Sequence, residues 1–274
     1  MLALTFQDIE RVTVESLPDP RIEAPGDVIV AVHLAGICGS DLHVFHGREH
    51  GLDRGTALGH EFVGEIVAVG PEVTHLQTGM MVASPFTTSC GSCDFCRLGL
   101  TARCRKGQLF GWREDGQGLQ GAQAEQVRVP LAESTLLEIP EGISPEAALL
   151  AGDVLSTGYF CADQAGVGPG IVAAVVGCGP VGLMSVLAAR HLGAERIFAF
   201  DRQPERLQLA ARYGGEPIDA DAQDAAQRVL EATRGRGADV VLEAVGSRAA
   251  SLLALEVVRP GGTISAVGVH TDSQ

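Results

Sequence analysis

The stretch that most restricts how this chain can fold is IVAAVVGCGPVGLMSVLAARHLG, residues 171–193. IVAAVVG is a continuous apolar run, the pattern of a parallel strand buried on both faces. A glycine-rich turn follows at once. PVGLMSVLAARHLG then carries apolar residues at helical spacing and closes on glycine. A strand, a turn and a helix in direct succession form one unit of an α/β sheet, which needs further units beside it. RIFAFD (196–201) reads as a strand and PERLQLAARYG (204–214) as a helix. ADVVLEAVG (238–246), a helix through SLLALEVV (251–258) and GGTISAVGV (261–269) continue the alternation. The second half is therefore expected to be α/β, a doubly wound parallel sheet.

The turn itself, GCGPVG (177–182), fits G-x-G-x-x-G. The pattern alone is weak in a chain with 35 glycines, but here it closes a buried strand and opens a helix. Gly177 permits the turn, Gly179 lets a pyrophosphate approach the backbone, and Gly182 lets helix and strand pack closely. The helix N-terminus at Pro180 and Val181 would face the phosphates with free N–H groups. Asp201 ends the next strand, where a carboxylate accepts hydrogen bonds from an adenosine ribose and disfavours a 2′-phosphate. This favours NAD, while Arg202 and Arg206 keep NADP open as the second option. The plainer alternative is a structural β-turn-α with a solvated Asp201.

The first half has a different character. DVIVAVHLAGI (27–37) and EFVGEIVAVG (61–70) are Val- and Ile-rich and are separated by turn signals such as APGD, HGRE and LQTG. It reads as all-β, in the manner of a distorted barrel. We place the domains at 1–150 and 151–274.

Four of the seven cysteines fall in CGSCDFCRLGLTARC, residues 90–104. Cys90, Cys93, Cys96 and Cys104 follow C-x2-C-x2-C-x7-C. Four thiolates complete a tetrahedral set for Zn²⁺ and leave nothing open for substrate, so the site is expected to be structural. A disulfide reading would need an oxidising compartment. A zinc-ribbon nucleic-acid module fits poorly, since only Arg97, Arg103, Arg105 and Lys106 are basic nearby and the chain carries a formal charge of −14. Chemistry would lie elsewhere. GICGSDLH (36–43) offers Cys38, Ser40, Asp41 and His43, and ALGHEF (57–62) offers His60 and Glu61. Singly, each is an ordinary core or surface residue. Together, a soft ligand, an imidazole and an acid would make an open zinc site.

The acidic charge argues against nucleic acid and anionic membrane as partners. MLALTFQDIERVTVE lacks the pattern of a signal peptide, and no run of about 20 apolar residues exists. A reducing cytoplasmic location is expected.

The motifs GICGSDLH, GHEFVGE, the four-cysteine lobe, DVLSTGY (153–159) and VVGCGPVG with Asp201 occur in an order that resembles the zinc-dependent medium-chain alcohol dehydrogenase family. That resemblance implies a chaperonin-10-like β-barrel catalytic domain followed by a Rossmann domain, with two zinc ions per chain. It implies a catalytic zinc on Cys38, His60 and Asp153, with Asp153 where many members carry Cys and Glu61 as an alternate ligand. Asp41 would accept a hydrogen bond from His60. Ser40 would take the alcohol proton and pass it through the cofactor ribose to His43 and solvent. Hydride would pass to the nicotinamide of NAD. Phe86 and Val269 match pocket-lining positions, and Thr157, Val245, Val267 and Val269 match the cofactor site.

The chain also departs from the family. A sixth Rossmann strand, the usual dimer strand, and a final segment returning to the catalytic domain have no counterpart before Gln274. The expectation is a zinc-binding chain that is poorly stable or weakly active, with an open edge strand inviting association. A family-type dimer or tetramer would need another contact. Gly39 stands where some members place an Arg toward the pyrophosphate. Polyol, threonine and formaldehyde dehydrogenases share these motifs. A non-catalytic remnant binding zinc and nucleotide is the alternative of another class. A zinc-free quinone reductase relative is disfavoured by the two intact ligand sets.

Overall fold

The computed structural model describes residues 1–270. The chain divides into two units, Met1–Asp153 and Val154–Gln274. Asp153 thus closes the first unit, slightly beyond the 150/151 boundary expected from sequence.

In the first unit β1 (Leu2–Asp8) and β2 (Arg11–Ser16) make an antiparallel pair. β3 (Val28–Ala35) leads into α1 (Gly39–Phe45), and β4 (Phe62–Val69) and β5 (Met81–Ser84) follow. α2 (Asp94–Arg97) lies in the cysteine-rich stretch, and β6 (Trp112–Glu114) pairs with β7 (Gln117–Leu119). β8 (Gln126–Val129), α3 (Ala132–Thr135), β9 (Leu137–Glu138) and α4 (Pro145–Gly152) complete the unit. The main sheet is antiparallel with order β8-β3-β4-β5-β9. Register breaks between Ile29 and Val30 and between Val32 and Leu34 bend its centre. One face packs Val28, Val30, Phe62, Ile66, Val82 and Val129, with Phe110 edge-on to Phe62 at 5.2 Å. Burying each such side chain contributes roughly 1.5–3 kcal/mol.

This register gathers the chemistry at one end of the sheet. Ala35 pairs with Phe62, and Phe62 pairs with Ser84. The Gly36 N–H donates to the Glu61 carbonyl at 2.9 Å, so residues 36–38 lie against 60–61. α4 ends on the same place: a Cβ at Gly152 would stand 2.6 Å from the Ser84 carbonyl, and Asp153 is the C-cap.

The second unit opens with α5 (Val154–Gln164) and alternates β10 (Val172–Val176), α6 (Pro180–His191), β11 (Arg196–Asp201), α7 (Pro204–Tyr213) and β12 (Glu216–Asp219). α8 (Ala225–Ala232), β13 (Ala238–Glu243), α9 (Arg248–Val257) and β14 (Val258–Ala266) follow. All five strands are parallel, in the order β12-β11-β10-β13-β14. Every residue of β10 is buried, with separate clusters packed on its two faces. This is the expected doubly wound sheet.

Local boundaries differ from the sequence expectation. β14 occupies 258–266 rather than 261–269, because Pro260 to Gly262 fall at a register break and stay within the strand. Val267 and Val269 therefore belong to the loop beyond it. α9 begins at Arg248, where the Ser247 hydroxyl caps the Ala250 N–H at 3.2 Å. β12 and α8 had no reading from sequence. β12 is four residues long and carries Pro217, which only an edge strand tolerates well.

Candidate functional site

Cys38, His60, Glu61 and Asp153 each present one ligand atom, and these atoms lie within 4.8 Å of one another. Cys38 is the N-cap of α1, His60 and Glu61 precede β4, and Asp153 follows α4. His60 Nε2 lies 3.6 Å from Asp153 Oδ2. On the other side of the ring, Nδ1 lies 3.6 Å from Asp41 Oδ1, longer than a hydrogen bond. Asp41 is fixed through its other oxygen, which accepts the Cys38 N–H at 2.9 Å and the Gln123 amide at 3.2 Å. Nε2 is thereby turned toward the cluster and Nδ1 toward a carboxylate.

The environment makes these donors costly to leave charged. Burial pushes the Cys38 thiol up to about 12, against the pull of the Ser40 backbone N–H. Burial, and then the charge and hydrogen bonding of Asp153, push Glu61 up to about 7. Glu61 Oε1 is buried without a hydrogen-bond partner. A Cβ at Gly36 would stand 2.0 Å from Glu61 Oε2, so glycine there is what admits the carboxylate. A divalent cation would relieve all of this at once. The set of sulfur, imidazole and carboxylate suits Zn²⁺, and ligands about 2.0–2.3 Å from such an ion stand about 3.3–3.8 Å apart. The 3.6 Å between Nε2 and Asp153 Oδ2 falls in that range.

Ser40 and His43 both sit on α1, three residues apart and on one face. The Ser40 hydroxyl is 3.9 Å from Cys38 Sγ, and His43 Nδ1 is buried without a hydrogen-bond partner. Phe86 is half-buried in the loop beyond β5.

The sulfurs of Cys90, Cys93, Cys96 and Cys104 also lie within 4.8 Å of one another. Cys93 Sγ stands 3.5 Å from Cys96 Sγ and 4.0 Å from Cys104 Sγ. Four sulfurs about 2.3 Å from one zinc would be about 3.8 Å apart. All seven cysteines are free thiols, so the lobe holds no disulfide. Backbone N–H groups converge on the sulfurs: Cys90 N–H and Lys106 N–H donate to Cys104 at 3.2 and 3.4 Å. The N–H and hydroxyl of Ser92 hold the Cys90 thiol down to about 5, and the Arg105 N–H lowers Cys93. Cys96 goes the other way, to about 11, through burial and the neighbouring sulfurs. α2 buries no side chain, so the lobe has little core of its own.

In the second unit the three glycines differ as the sequence implies. Gly177 has φ +91°, and a Cβ there would stand 2.4 Å from Val245. A Cβ at Gly182 would meet the Gly177 carbonyl at 1.7 Å. A Cβ at Gly179 would have no atom within 4 Å, which leaves the backbone open to a ligand. Pro180 and Val181 begin α6 behind the Gly179 N-cap. Asp201 is buried and accepts N–H bonds from Cys178 at 2.7 Å and from Arg202 and Gln203 at 2.8 Å. Arg202 is paired with Asp221 at 2.8 Å, while an Arg206 nitrogen is 3.7 Å from Asp201. Val245 follows β13, Val267 and Val269 follow β14, and Thr157 lies on α5. Gly39 has open space around its missing Cβ.

Three residues escaped the sequence reading: Gly36, Gln123 and Glu243. Glu243 is buried at the end of β13, the position on its strand that Asp201 holds on β11. That parallel was the available signal. Gly36 and Gln123 act across the fold and leave no local one.

Among the described residues no helix is long and apolar enough to cross a membrane. Residues 24–141 match the alcohol dehydrogenase GroES-like domain family, and residues 180–274 match the zinc-binding dehydrogenase family. The medium chain reductase/dehydrogenase ucsI of an Acremonium species is 42% identical, over 98% of this chain and 94% of its own. Zinc-type alcohol dehydrogenase B of Aspergillus flavus is 43% identical over 98% of this chain, but the chain spans only 64% of that protein. Among solved structures, the alcohol dehydrogenase TADH from Thermus sp. ATN1 superposes with a TM-score of 0.93 at 48% identity, covering 100% of this chain and 78% of its own. A zinc-binding dehydrogenase from Sinorhizobium meliloti, solved with NADP, superposes at 0.85 with 28% identity, covering 100% of this chain and 78% of its own. Both family models match, relatives at 42–48% identity align over nearly the whole chain, and the fold superposes on solved zinc-type dehydrogenases, so the chain belongs to the zinc-dependent medium-chain alcohol dehydrogenase family.

Proposed function

We propose that the chain is a zinc-dependent oxidoreductase that interconverts a small alcohol and its aldehyde or ketone with NAD(H). The observation that carries this reading is the convergence of Cys38, His60, Glu61 and Asp153 within 4.8 Å. Cys38, His60 and Asp153 would hold the reactive zinc, with Glu61 an alternate ligand. Zinc there supplies a Lewis acid for the substrate oxygen. NAD supplies the hydride acceptor.

The side chains do the rest. Asp41, fixed by the Cys38 N–H and Gln123, sets its other oxygen 3.6 Å from His60 Nδ1, where its charge favours the tautomer that leaves Nε2 open toward the cluster. The Ser40 hydroxyl accepts the alcohol proton, and His43, one helical turn on, is the route by which it reaches solvent. The glycine turn and the α6 N-terminus take the pyrophosphate. Asp201 takes the adenosine ribose hydroxyls and repels a 2′-phosphate. Arg202 is paired with Asp221 and Arg206 lies beside Asp201, so the carboxylate favours NAD while the two arginines keep NADP as the second option. Cys90, Cys93, Cys96 and Cys104 would hold a second zinc that only braces their lobe.

The test is NADH formation from NAD across a panel of primary and secondary alcohols, with aldehydes and NADH in reverse. Turnover that stops on chelation supports the reading. Zinc and nucleotide binding with no hydride transfer in either direction contradicts it and leaves a binding protein.

A further inference from the structure

Glu243 is 1% exposed, and neither glycine turn nor zinc cluster explains it. One carboxylate oxygen, Oε1, accepts the N–H groups of Val245 and Gly246, each at 2.8 Å. The other lies 3.2 Å from His270 Nε2. The residue's own carbonyl accepts the N–H groups of Val267 and Gly268 at 2.9 and 3.2 Å. One residue thus ties together the loops beyond β13 and β14.

Those loops press on each other and on the glycine turn. A Cβ at Gly268 would stand 2.1 Å from the Gly246 nitrogen, and one at Gly246 would stand 2.3 Å from the Val269 carbonyl oxygen. The Ala244 N–H donates to the Val176 carbonyl at 2.9 Å, and Val245 packs over Gly177. β10 and β13 are neighbours where the strand order reverses, and in such sheets ligands bind beyond the carboxyl ends of the strands at that point. Asp201 lies on the β11 side of the reversal, whereas the Glu243 loops lie on the β13 and β14 side.

We infer that Glu243 is a positioning residue for the nicotinamide half of the cofactor: its carboxylate holds the 245–246 segment, and through their close approach the 268–269 segment, as the wall against which that half binds. The inference rests on the dinucleotide reading above. Without the carboxylate, the buried Gly246 N–H and the part-buried Val245 N–H lose their acceptor and the wall relaxes, while the glycine turn and Asp201 keep the adenosine half.

The test compares NADH with ADP-ribose, which lacks the nicotinamide, by titration against wild type, Glu243→Gln, Glu243→Ala and Gly268→Ala. Glu243→Ala is expected to raise the Kd for NADH about tenfold, as for one lost buried acceptor, with ADP-ribose within about twofold. Gly268→Ala, which drives the two loops apart directly, reproduces that selectivity. Glu243→Gln keeps an oxygen for both N–H groups and restores NADH binding to within about threefold. An unchanged NADH Kd in both Glu243→Ala and Gly268→Ala, or equal losses for the two ligands, overturns the inference. A wild-type chain that binds neither ligand overturns the dinucleotide reading, and this inference with it.

Discussion

The two cysteine-containing clusters of the first unit assemble in opposite ways. The lobe draws all four donors from residues 90–104, and its sulfurs are met by backbone N–H groups of the same loop. The other draws on Cys38, His60, Glu61 and Asp153, which meet only when β3, β4, β5 and α4 are in register. Closing a short loop costs little chain entropy, so the lobe can hold a metal with little help from the sheet. The open cluster exists only in the folded unit. Their electrostatics differ as well. The lobe lowers the thiols of Cys90 and Cys93 and raises only Cys96 among its shifted thiols, whereas in the open cluster burial raises both Cys38 and Glu61. On the proposed roles, a site that exchanges ligands keeps donors that are uncomfortable alone, and a brace satisfies most of its donors locally.

The sharpest way to break this contrast is substitution on either side of it. Cys38→Ser should lower turnover at least about 100-fold while the melting temperature stays near that of wild type. Cys93→Ser should do the reverse, lowering the melting temperature first. Equal loss of folding in both would erase the distinction. A smaller effect is expected from Asp41→Asn, which keeps the α1 cap but removes the charge beside His60. Activity or zinc affinity at the open cluster should fall about 10–100-fold, with the lobe zinc retained. Loss of both ions, or of neither affinity nor rate, would show that Asp41 serves only α1.

The smallest effect is a difference in pH slope. Glu61 sits at about 7 against an ordinary value of 4.5. The folded metal-free chain therefore binds more protons than the unfolded chain between those values, and its stability falls as pH rises through the window. Cys90, held down to about 5 from 9, has the opposite sign: its contribution is present above 9 and is lost as pH falls through 5. After chelation, the melting temperature of wild type relative to Glu61→Gln should decline from pH 4.5 to 7, and zinc should flatten the decline. A difference independent of pH would show that Glu61 is not held protonated.

How much of this was legible in the sequence follows the same divide. The three glycine roles and the cysteine spacing are local, and both are read from a few adjacent residues. The long strands β3, β4, β10 and β13 announce themselves through apolar runs. Nothing in the spacing of Cys38, His60 and Asp153 dictates a common site, and only resemblance to a family placed them together. Gly36 looks like a turn glycine until the β3–β4 register puts Glu61 against it. Asp41 was expected to hydrogen-bond His60, yet its geometry spends that carboxylate on the helix cap, since a capping N–H is closer at hand. β12 was missed because Pro217 interrupts a run too short to show a period.

X-ray absorption at the zinc edge of the Cys38→Ser protein tests the central claim most directly. The two-centre account predicts that wild type shows mixed sulfur at about 2.3 Å and nitrogen or oxygen at about 2.0–2.1 Å, and that the variant retains sulfur neighbours alone. A variant that still shows the mixed shell with unchanged zinc content, or a wild type with sulfur alone, would contradict it.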